Sequence, residues 1–443
     1  MTDIRVSARN FLAQVTPMST TRRSFLLRTG RTAAGLSLLP AYLAAGRPRP
    51  FGPNDQVQLG VIGCGRQANG LSSLLTRMDG VKIVAACDVH PAKLAAYREA
   101  RLAEYAAGAS SDPEITPYAN YERLLDHDGL DAVLIATPDH QHAPMCIAAL
   151  EKGLHVYCEK PLAHTIEEGR AMVEATERSG KVLQTGSMQR SMYNFQRAVE
   201  LIRAGSLGKI REAIVSVGPP PIPFELAGEA IPEGVDWKAW IGPSVERPYH
   251  PTLLPPVDLE IWARWRDYAE FGGGKITDWG AHMFDIVQWA LDRDASGPMQ
   301  FFVPGKGAQS GLTAFYEDGI KVTHRDFGRG SAVRFIGTEG SLDVSRTLLD
   351  TTVEGLIGYA DGPKRDQRDA NKLHFVEWFA AMRGQGQVSC PAEVGHRTAS
   401  FCSLANIAYR LGQPIEWDPA AERITNNPRA NRLLGPAYRL SLA

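Results

Sequence analysis

The sequence predicts an α/β protein in two parts: a doubly wound parallel sheet, then an α+β part whose strands read as antiparallel. Three observations predict it. A short apolar strand runs into a glycine-rich turn, brief apolar runs then alternate with helical stretches, and a later half carries alternating apolar runs between two blocks of helix.

Val57–Ile62 is the first strand and leads into Gly63-Cys64-Gly65-Arg66-Gln67-Ala68, the G-x-G-x-x-G/A pattern of a dinucleotide-binding Rossmann turn. The first glycine allows the tight turn, the second lets a pyrophosphate approach the backbone, and the small third residue lets helix pack on strand. A helix over Asn69–Met78 is expected to aim its N-terminus at the phosphates. Val81–Cys87 reads as a second buried strand ending at Asp88, near the ~20-residue distance at which an acid meets the adenosine ribose. That acid favours NAD over NADP, although Arg66 and His90 leave NADP admissible; Asp88 also suits a helix cap ahead of Pro91.

The alternation continues through a helix over Tyr121–His127, a strand over Asp131–Ala136 and a helix over Gln141–Lys152. A strand over Leu154–Cys158, a helix over Ile166–Ser179 and a strand over Lys181–Gln184 follow. Ligands on such sheets sit at the carboxyl ends of the strands, so Thr137-Pro138-Asp139-His140-Gln141-His142 and Glu159-Lys160-Pro161 are the segments that matter.

Bulk properties exclude several classes. The 443 residues carry a net charge of −1, so no basic surface points to nucleic acid or anionic lipid. None of the six cysteines forms a CxxC pair, which argues against a structural zinc site. Cys64, Cys87 and Cys158 end apolar runs and read as small buried hydrophobes.

Thr21-Arg22-Arg23-Ser24-Phe25-Leu26-Leu27 is a twin-arginine pattern, followed by a mildly apolar run over Ala33–Ala45. That run falls short of the ~20 residues that span a bilayer. It reads as a signal peptide engaging the twin-arginine export machinery, with an exported or periplasmic destination. A secreted nicotinamide enzyme has no free cofactor pool, so a cofactor held through many turnovers is expected. The expected organisation is residues 1–50 as signal and linker, 55–185 as nucleotide-binding domain and 186–443 as substrate and oligomerisation domain.

In the second half, Gly272–Lys275 lead into a helix reaching about Leu291, on which Asp278, His282 and Asp285 fall at i, i+4 and i+7 and share one face. Oxidising an alcohol needs hydride loss from carbon and proton loss from oxygen. A histidine near neutral pKa suits the proton, a carboxylate can orient it, and a cation such as Lys160 can hold developing alkoxide charge. On spacing alone, Asp278 also reads as a cap and His282 with Asp285 as an exposed pair. His140 and His142 with Asp278 and His282 admit a 2-His-1-carboxylate site, but no metal is the expectation. Strands are expected near Thr313–Tyr316, Ile320–His324, Ala332–Ile336 and Ser341–Val344, and helices near Lys372–Arg383 and Glu393–Leu411.

Val61-Ile62-Gly63-Cys64-Gly65, Ile135-Ala136-Thr137-Pro138-Asp139-His140-Gln141-His142 and Cys158-Glu159-Lys160-Pro161-Leu162 together closely resemble the Gfo/Idh/MocA oxidoreductases, from about Gln56 almost to the C-terminus. The resemblance implies a Rossmann domain joined to a domain with an open, mainly antiparallel sheet, commonly covered by oligomerisation, hence a homo-oligomer. It implies hydride transfer between NAD and a sugar or polyol carbon. It places Lys160 near the nicotinamide and matches Asp278 and His282 to an Asp-x-x-x-His pair, with His282 as general acid/base and Asp278 as its partner. The expected cofactor residues are Gly63, Gly65, Arg66, Gln67, Asp88, Thr137, Pro138, His142, Glu159, Lys160 and Gln189. Arg190, Trp265, Arg266 and Asp285 are expected at the substrate. A redox-neutral NAD-dependent glycosidase and a non-catalytic nucleotide-binding module remain as alternatives.

Overall fold

The structure is a computed structural model that describes residues 56–108, 114–257, 259, 261–358 and 367–436. The twin-arginine segment and the apolar run after it lie outside the described residues.

Six parallel strands form the first sheet: β1 (Val57–Ile62), β2 (Val81–Cys87), β3 (Thr116–Tyr118), β4 (Ala132–Ile135), β5 (His155–Cys158) and β6 (Leu183–Thr185). Their order is β3-β2-β1-β4-β5-β6, so the direction of winding reverses between β1 and β4. Both faces are covered, because the strands are apolar on both sides: Ile62, Val133 and Ile135 pack with Met145 and Met172 on one side, while Leu59, Val61, Leu134 and Tyr157 pack on the other. The strands read from the sequence are present with ends shifted by a residue or two. The helix after β1 starts earlier than expected, at Arg66, since Gly65 already serves as its N-cap. The helix ahead of which Asp88 could stand is present as Pro91–Ala107, with His90 at its N-cap, while strand β3 was not anticipated.

The second sheet has nine strands in the order β13-β12-β11-β7-β10-β9-β8-β14-β15. They are β7 (Ile210–Ser216), β8 (Gln300–Phe302), β9 (Thr313–Phe315), β10 (Lys321–His324), β11 (Ala332–Gly337), β12 (Ser341–Val344), β13 (Leu349–Thr351), β14 (Ile415–Asp418) and β15 (Arg423–Ile424). It is antiparallel except where β7 pairs with β10. One face packs on the helices Tyr193–Arg203, Gly280–Ala290 and Ala392–Leu411 through Phe195, Phe284 and Phe401. On β8, Phe301 points into this core and Phe302 is exposed, as period-2 alternation requires.

The helix Gln367–Met382 crosses back to the first sheet. Its Phe375, Trp378 and Phe379 fill the core beside Leu59 and Tyr157, with Phe375 and Tyr157 ring centroids 4.7 Å apart. His374 Nε2 faces the Thr185 carbonyl at 2.9 Å.

All six cysteines are free and buried. Among the described residues no helix is long and apolar enough to cross a membrane, and no group of three or more His, Cys, Asp or Glu is set to hold a metal.

Four buried imidazoles give the fold an acid limit. Burial pushes His140 down to about 3 and His155, His324 and His374 down to about 4. Above the ordinary histidine value of about 6.5 both folded and unfolded chains hold these rings neutral. Below it the unfolded chain takes up protons that the folded chain refuses, so stability falls with pH by up to about 1.4 kcal/mol per unit per ring. The carboxyls of Asp139, Glu159 and Asp285, raised by burial, work against this slope. Denaturant titrations between pH 7 and pH 4.5 are expected to show a steep loss of unfolding free energy centred below pH 6.5; a flat profile would contradict the neutral burial of these rings.

Candidate active site

The glycine turn is shaped by contacts that only glycine tolerates. Gly63 has φ 87°, and a Cβ there would lie 2.8 Å from the Ala136 carbonyl oxygen. At Gly65 a Cβ would meet nothing within 4 Å, so open space lies over the helix N-terminus. That N-terminus has no side-chain cap and no acid in its first turn, so its dipole suits an anion. Asp88 braces the turn: one oxygen accepts from the Cys64 amide at 2.7 Å and the other from the His90 amide at 2.8 Å. Each carboxylate oxygen has a further lone pair for a ribose hydroxyl.

These residues line a cavity of about 760 Å³ that also includes Arg66, Gln67, Thr137 and Pro138. Its far wall comes from the second half of the chain: Trp240, Leu253, Pro256, Ile261, Trp262 and Arg266. The volume, the glycine turn at the helix N-terminus and the acid at the rim fit a dinucleotide. His140 and Gln141 fasten the two halves here, since His140 Nε2 faces the Trp240 carbonyl at 3.0 Å and Gln141 Nε2 donates to it at 2.8 Å.

A second cavity of about 560 Å³ shares Gln67, Thr137, Trp262, Trp265 and Arg266 with the first. Lys160, Asp278 and His282 all line it, together with Glu159. Lys160 Nζ donates to Asp278 Oδ1 at 2.7 Å and to the Asp278 carbonyl at 2.9 Å. Arg266 Nε and Lys275 Nζ reach the same carboxylate at 3.4 and 3.2 Å. Burial alone would raise the Asp278 carboxyl, but Lys160 and Arg266 outweigh it and hold it well below the usual carboxylate range. Burial, with the charges of Lys160 and Arg346, holds His282 well below its ordinary value despite Asp278. Its Nδ1 has no hydrogen-bond partner among the described residues. The ring is therefore neutral. The carboxylate expected to partner His282 is instead bonded to Lys160, because three cations compete for it.

Several expected residues sit elsewhere. The helix is interrupted at Trp279, between Lys275–Asp278 and Gly280–Ala290, so Asp285 does not continue the row of Asp278 and His282. Asp285 is buried against Arg190, whose Nη2 lies 2.7 Å from its Oδ1 and 2.7 Å from Asp294. Neither Arg190 nor Asp285 lines the cavity, since each satisfies the other's charge in the core. His142 is also absent from the cavities. Its ring nitrogens face the Pro161 carbonyl at 2.9 Å and the Thr137 carbonyl at 3.1 Å, and it clamps the two motif loops together from behind. Burial opposes charge on that ring, but Cys158, Asp139 and the Pro161 carbonyl favour it and move its pKa upward. Gln189 is fully buried and accepts from Arg346 Nε at 3.0 Å, so it supports a wall residue and does not reach the cofactor cavity. Glu159 lines the second cavity and accepts from Gln67 Nε2 at 3.0 Å. Trp265 and Arg266 line both cavities, with the guanidinium 4.1 Å over the indole. Arg346 was not foreseen: it follows β12 in no recognisable motif, and only the fold brings it to the cavity.

Comparison with known proteins agrees with this architecture. Residues 57–187 match the Gfo/Idh/MocA profile described as "Oxidoreductase family, NAD-binding Rossmann fold" and residues 223–443 match its "C-terminal alpha/beta domain". The chain belongs to the Gfo/Idh/MocA oxidoreductase family. Among relatives of this Gfo/Idh/MocA chain is a glycosyl hydrolase family 109 protein of Shewanella pealeana, 32% identical over 211 residues, or 44% of this chain and 45% of that protein. A 1,5-anhydro-D-fructose reductase of Ensifer adhaerens is 26% identical over 293 residues, covering 62% of this chain and 76% of the reductase. The chain thus spans less than half of the first relative and three quarters of the second. The fold is that of the WlbA dehydrogenase of Bordetella pertussis, solved with NADH and UDP-GlcNAcA, at TM-score 0.59 and 19% identity over 82% of this chain and 99% of that one. A levoglucosan dehydrogenase solved with NADH and L-sorbose gives TM-score 0.58 at 17% identity over 83% of this chain and 100% of that one.

Proposed function

We propose that this chain transfers a hydride between a tightly held NAD and a hydroxyl-bearing carbon of a sugar, polyol or glycoside, with Lys160, Asp278 and His282 as its working groups. The observation that carries this reading is that Lys160 and the Asp278–His282 segment, more than a hundred residues away along the chain, line one cavity that shares wall residues with the glycine-turn cavity. NAD, when bound, supplies the acceptor for the hydride that leaves carbon. The neutral imidazole of His282 takes the hydroxyl proton as the carbon becomes a carbonyl. An ammonium has three donors, and two on Lys160 Nζ are bound to Asp278, so the third is left to stabilise the substrate oxygen. Asp278 fixes Lys160 in place through its carboxylate and its carbonyl. Trp262 and Trp265 stand at the junction of the two cavities and carry the Arg266 guanidinium, 5.1 and 4.1 Å over their rings, a donor for sugar hydroxyls. The wall from Trp240 to Trp262 over the first cavity supports slow cofactor exchange.

The test is mass spectrometry of nucleotide carried by the purified protein, followed by a sugar and glycoside panel read at the reduced-nicotinamide absorbance. His282→Ala is expected to lower turnover by about 10²–10⁴-fold while the bound nucleotide is retained. Parallel loss of both would make His282 a structural residue.

The similarity to family 109 glycosyl hydrolases favours one second reading: a redox-neutral glycosidase that oxidises, eliminates and re-reduces its substrate. Release of free sugar from an aryl glycoside with no net change in NADH would establish it.

We propose export as well, on the strength of Thr21–Leu27; replacing Arg22 and Arg23 by lysine is expected to retain the protein in the cytoplasm in cell fractionation. A homo-oligomer is supported by Phe302, 41% exposed on the outer face of the second sheet, and light scattering at a monomer mass would refute it.

A further inference from the structure

Arg346 exchanges neither hydride nor proton in the chemistry above, where its charge only helps to keep His282 neutral, yet it faces the same cavity as Lys160, Arg266 and His282. Its Nε donates to Gln189 Oε1 at 3.0 Å, and its guanidinium lies 4.7 Å over the Trp279 ring. An amide and an indole hold it, and neither carries charge. Among the described residues it forms no ion pair. The carboxylates near it are already engaged, Glu159 by Gln67 and Asp278 by Lys160. The buried Arg190 differs, being bound to Asp285, and the half-buried Arg334 and Arg170 are likewise paired, with Asp343 and Glu393.

The charge around the substrate cavity leans positive. Lys160, Arg264, Arg266, Lys275 and Arg346 line it against Asp139, Glu159, Asp267 and Asp278; Arg264 is paired with Asp267, and Lys160, Arg266 and Lys275 share Asp278. Burial lowers Arg346 to about 10, the mark of a cation drawn from water with too little counter-charge. The cofactor's pyrophosphate does not supply that charge, because the glycine turn and helix end belong to the other cavity, which Arg346 does not line. With Nε committed to Gln189, both η nitrogens remain for a planar, two-point contact with anionic oxygens.

We infer that Arg346 is the specificity-determining residue of the substrate cavity and that the substrate is an anionic sugar, bearing a carboxylate or phosphate group. This rests on the hydride-transfer reading for the cavity being a substrate site. Gln189 then positions Arg346, which gives the buried amide a purpose away from the cofactor.

The test uses the holoprotein and three matched probes: D-glucose, D-glucuronate and D-glucose 6-phosphate, with their methyl glycosides. Binding is read as a shift in melting temperature and turnover as reduction of the bound cofactor. Wild-type protein is expected to favour a charged probe over glucose by roughly tenfold or more in kcat/KM, as a charge-assisted pair implies. The uronate and phosphate arms tell the two anions apart. Arg346→Met is expected to bring the charged-to-neutral ratio near one, chiefly through KM, and Arg346→Lys to restore part of it. Equal use of all probes, preference for glucose, or a ratio unchanged in Arg346→Met overturns the inference, as does the absence of any melting shift with the anions. Anion binding that depends on Arg346 without reduction of the cofactor supports the anion site and instead fails the hydride reading.

Discussion

Replacing Lys160 by methionine is expected to lower kcat/KM by about 10²–10⁴-fold, because it removes the ammonium that would meet the substrate oxygen and leaves a chain of similar length. The fold should survive, since Asp278 keeps Arg266 at 3.4 Å and Lys275 at 3.2 Å. Bound nucleotide should be retained, because the glycine turn and Asp88 are untouched. The residual activity should carry a second signature. The Lys160 charge helps to hold His282 neutral, so its loss raises the imidazole pKa and moves the acid limb of the pH–rate profile upward. Lys160→Arg should not restore the rate, since a planar guanidinium cannot give the same two bonds to Asp278 and a third to substrate. Cofactor reduction measured from pH 5 to 9 checks all three points; an unchanged rate or an unmoved acid limb would remove Lys160 from the chemistry.

The second large effect is on stability. Arg190→Met is expected to cost about 3–5 kcal/mol, because it leaves Asp285 as a buried carboxylate without its cation. The pair is among the most enclosed in the chain, at 2% and 1% side-chain exposure, and Thr398 Oγ1 adds a bond of 3.1 Å to Asp285. Asp285 and Asp294 hold Arg190 charged well above its ordinary range although burial opposes it. The melting temperature should fall on the order of 5–10 °C. Adding Asp285→Leu to Arg190→Met should recover much of the loss, because a missing pair is cheaper than half a pair. A single variant as stable as wild type would show the pair to be dispensable.

Much of the first sheet was legible because each strand is a short apolar run bounded by turn residues, and Gly63, Gly65 and Asp88 carry a motif whose spacing is fixed by the ligand it fits. Lys160, Asp278 and His282 were legible as types and positions. Their pairing was not: spacing of four along a helix suggested that Asp278 serves His282, while the fold delivers Lys160, Arg266 and Lys275 to the same carboxylate. His142, Gln189 and Arg190 follow motif strands and so looked like ligand residues. They turn inward instead, where carbonyls, Arg346 and Asp285 satisfy them. Arg346 carried no local signal, because only the pairing of β11 with β12 brings the end of β12 to the cavity wall.

The helix Gln367–Met382 has a consequence for synthesis. Phe375, Trp378 and Phe379 complete the greasy socket left by Leu59 and Tyr157, yet the ribosome makes them only after strands β7 to β13 of the second sheet have been synthesised. The nucleotide-binding half therefore cannot mature by itself while the chain grows. It must wait, partly open, for a wedge encoded near the other end of the message.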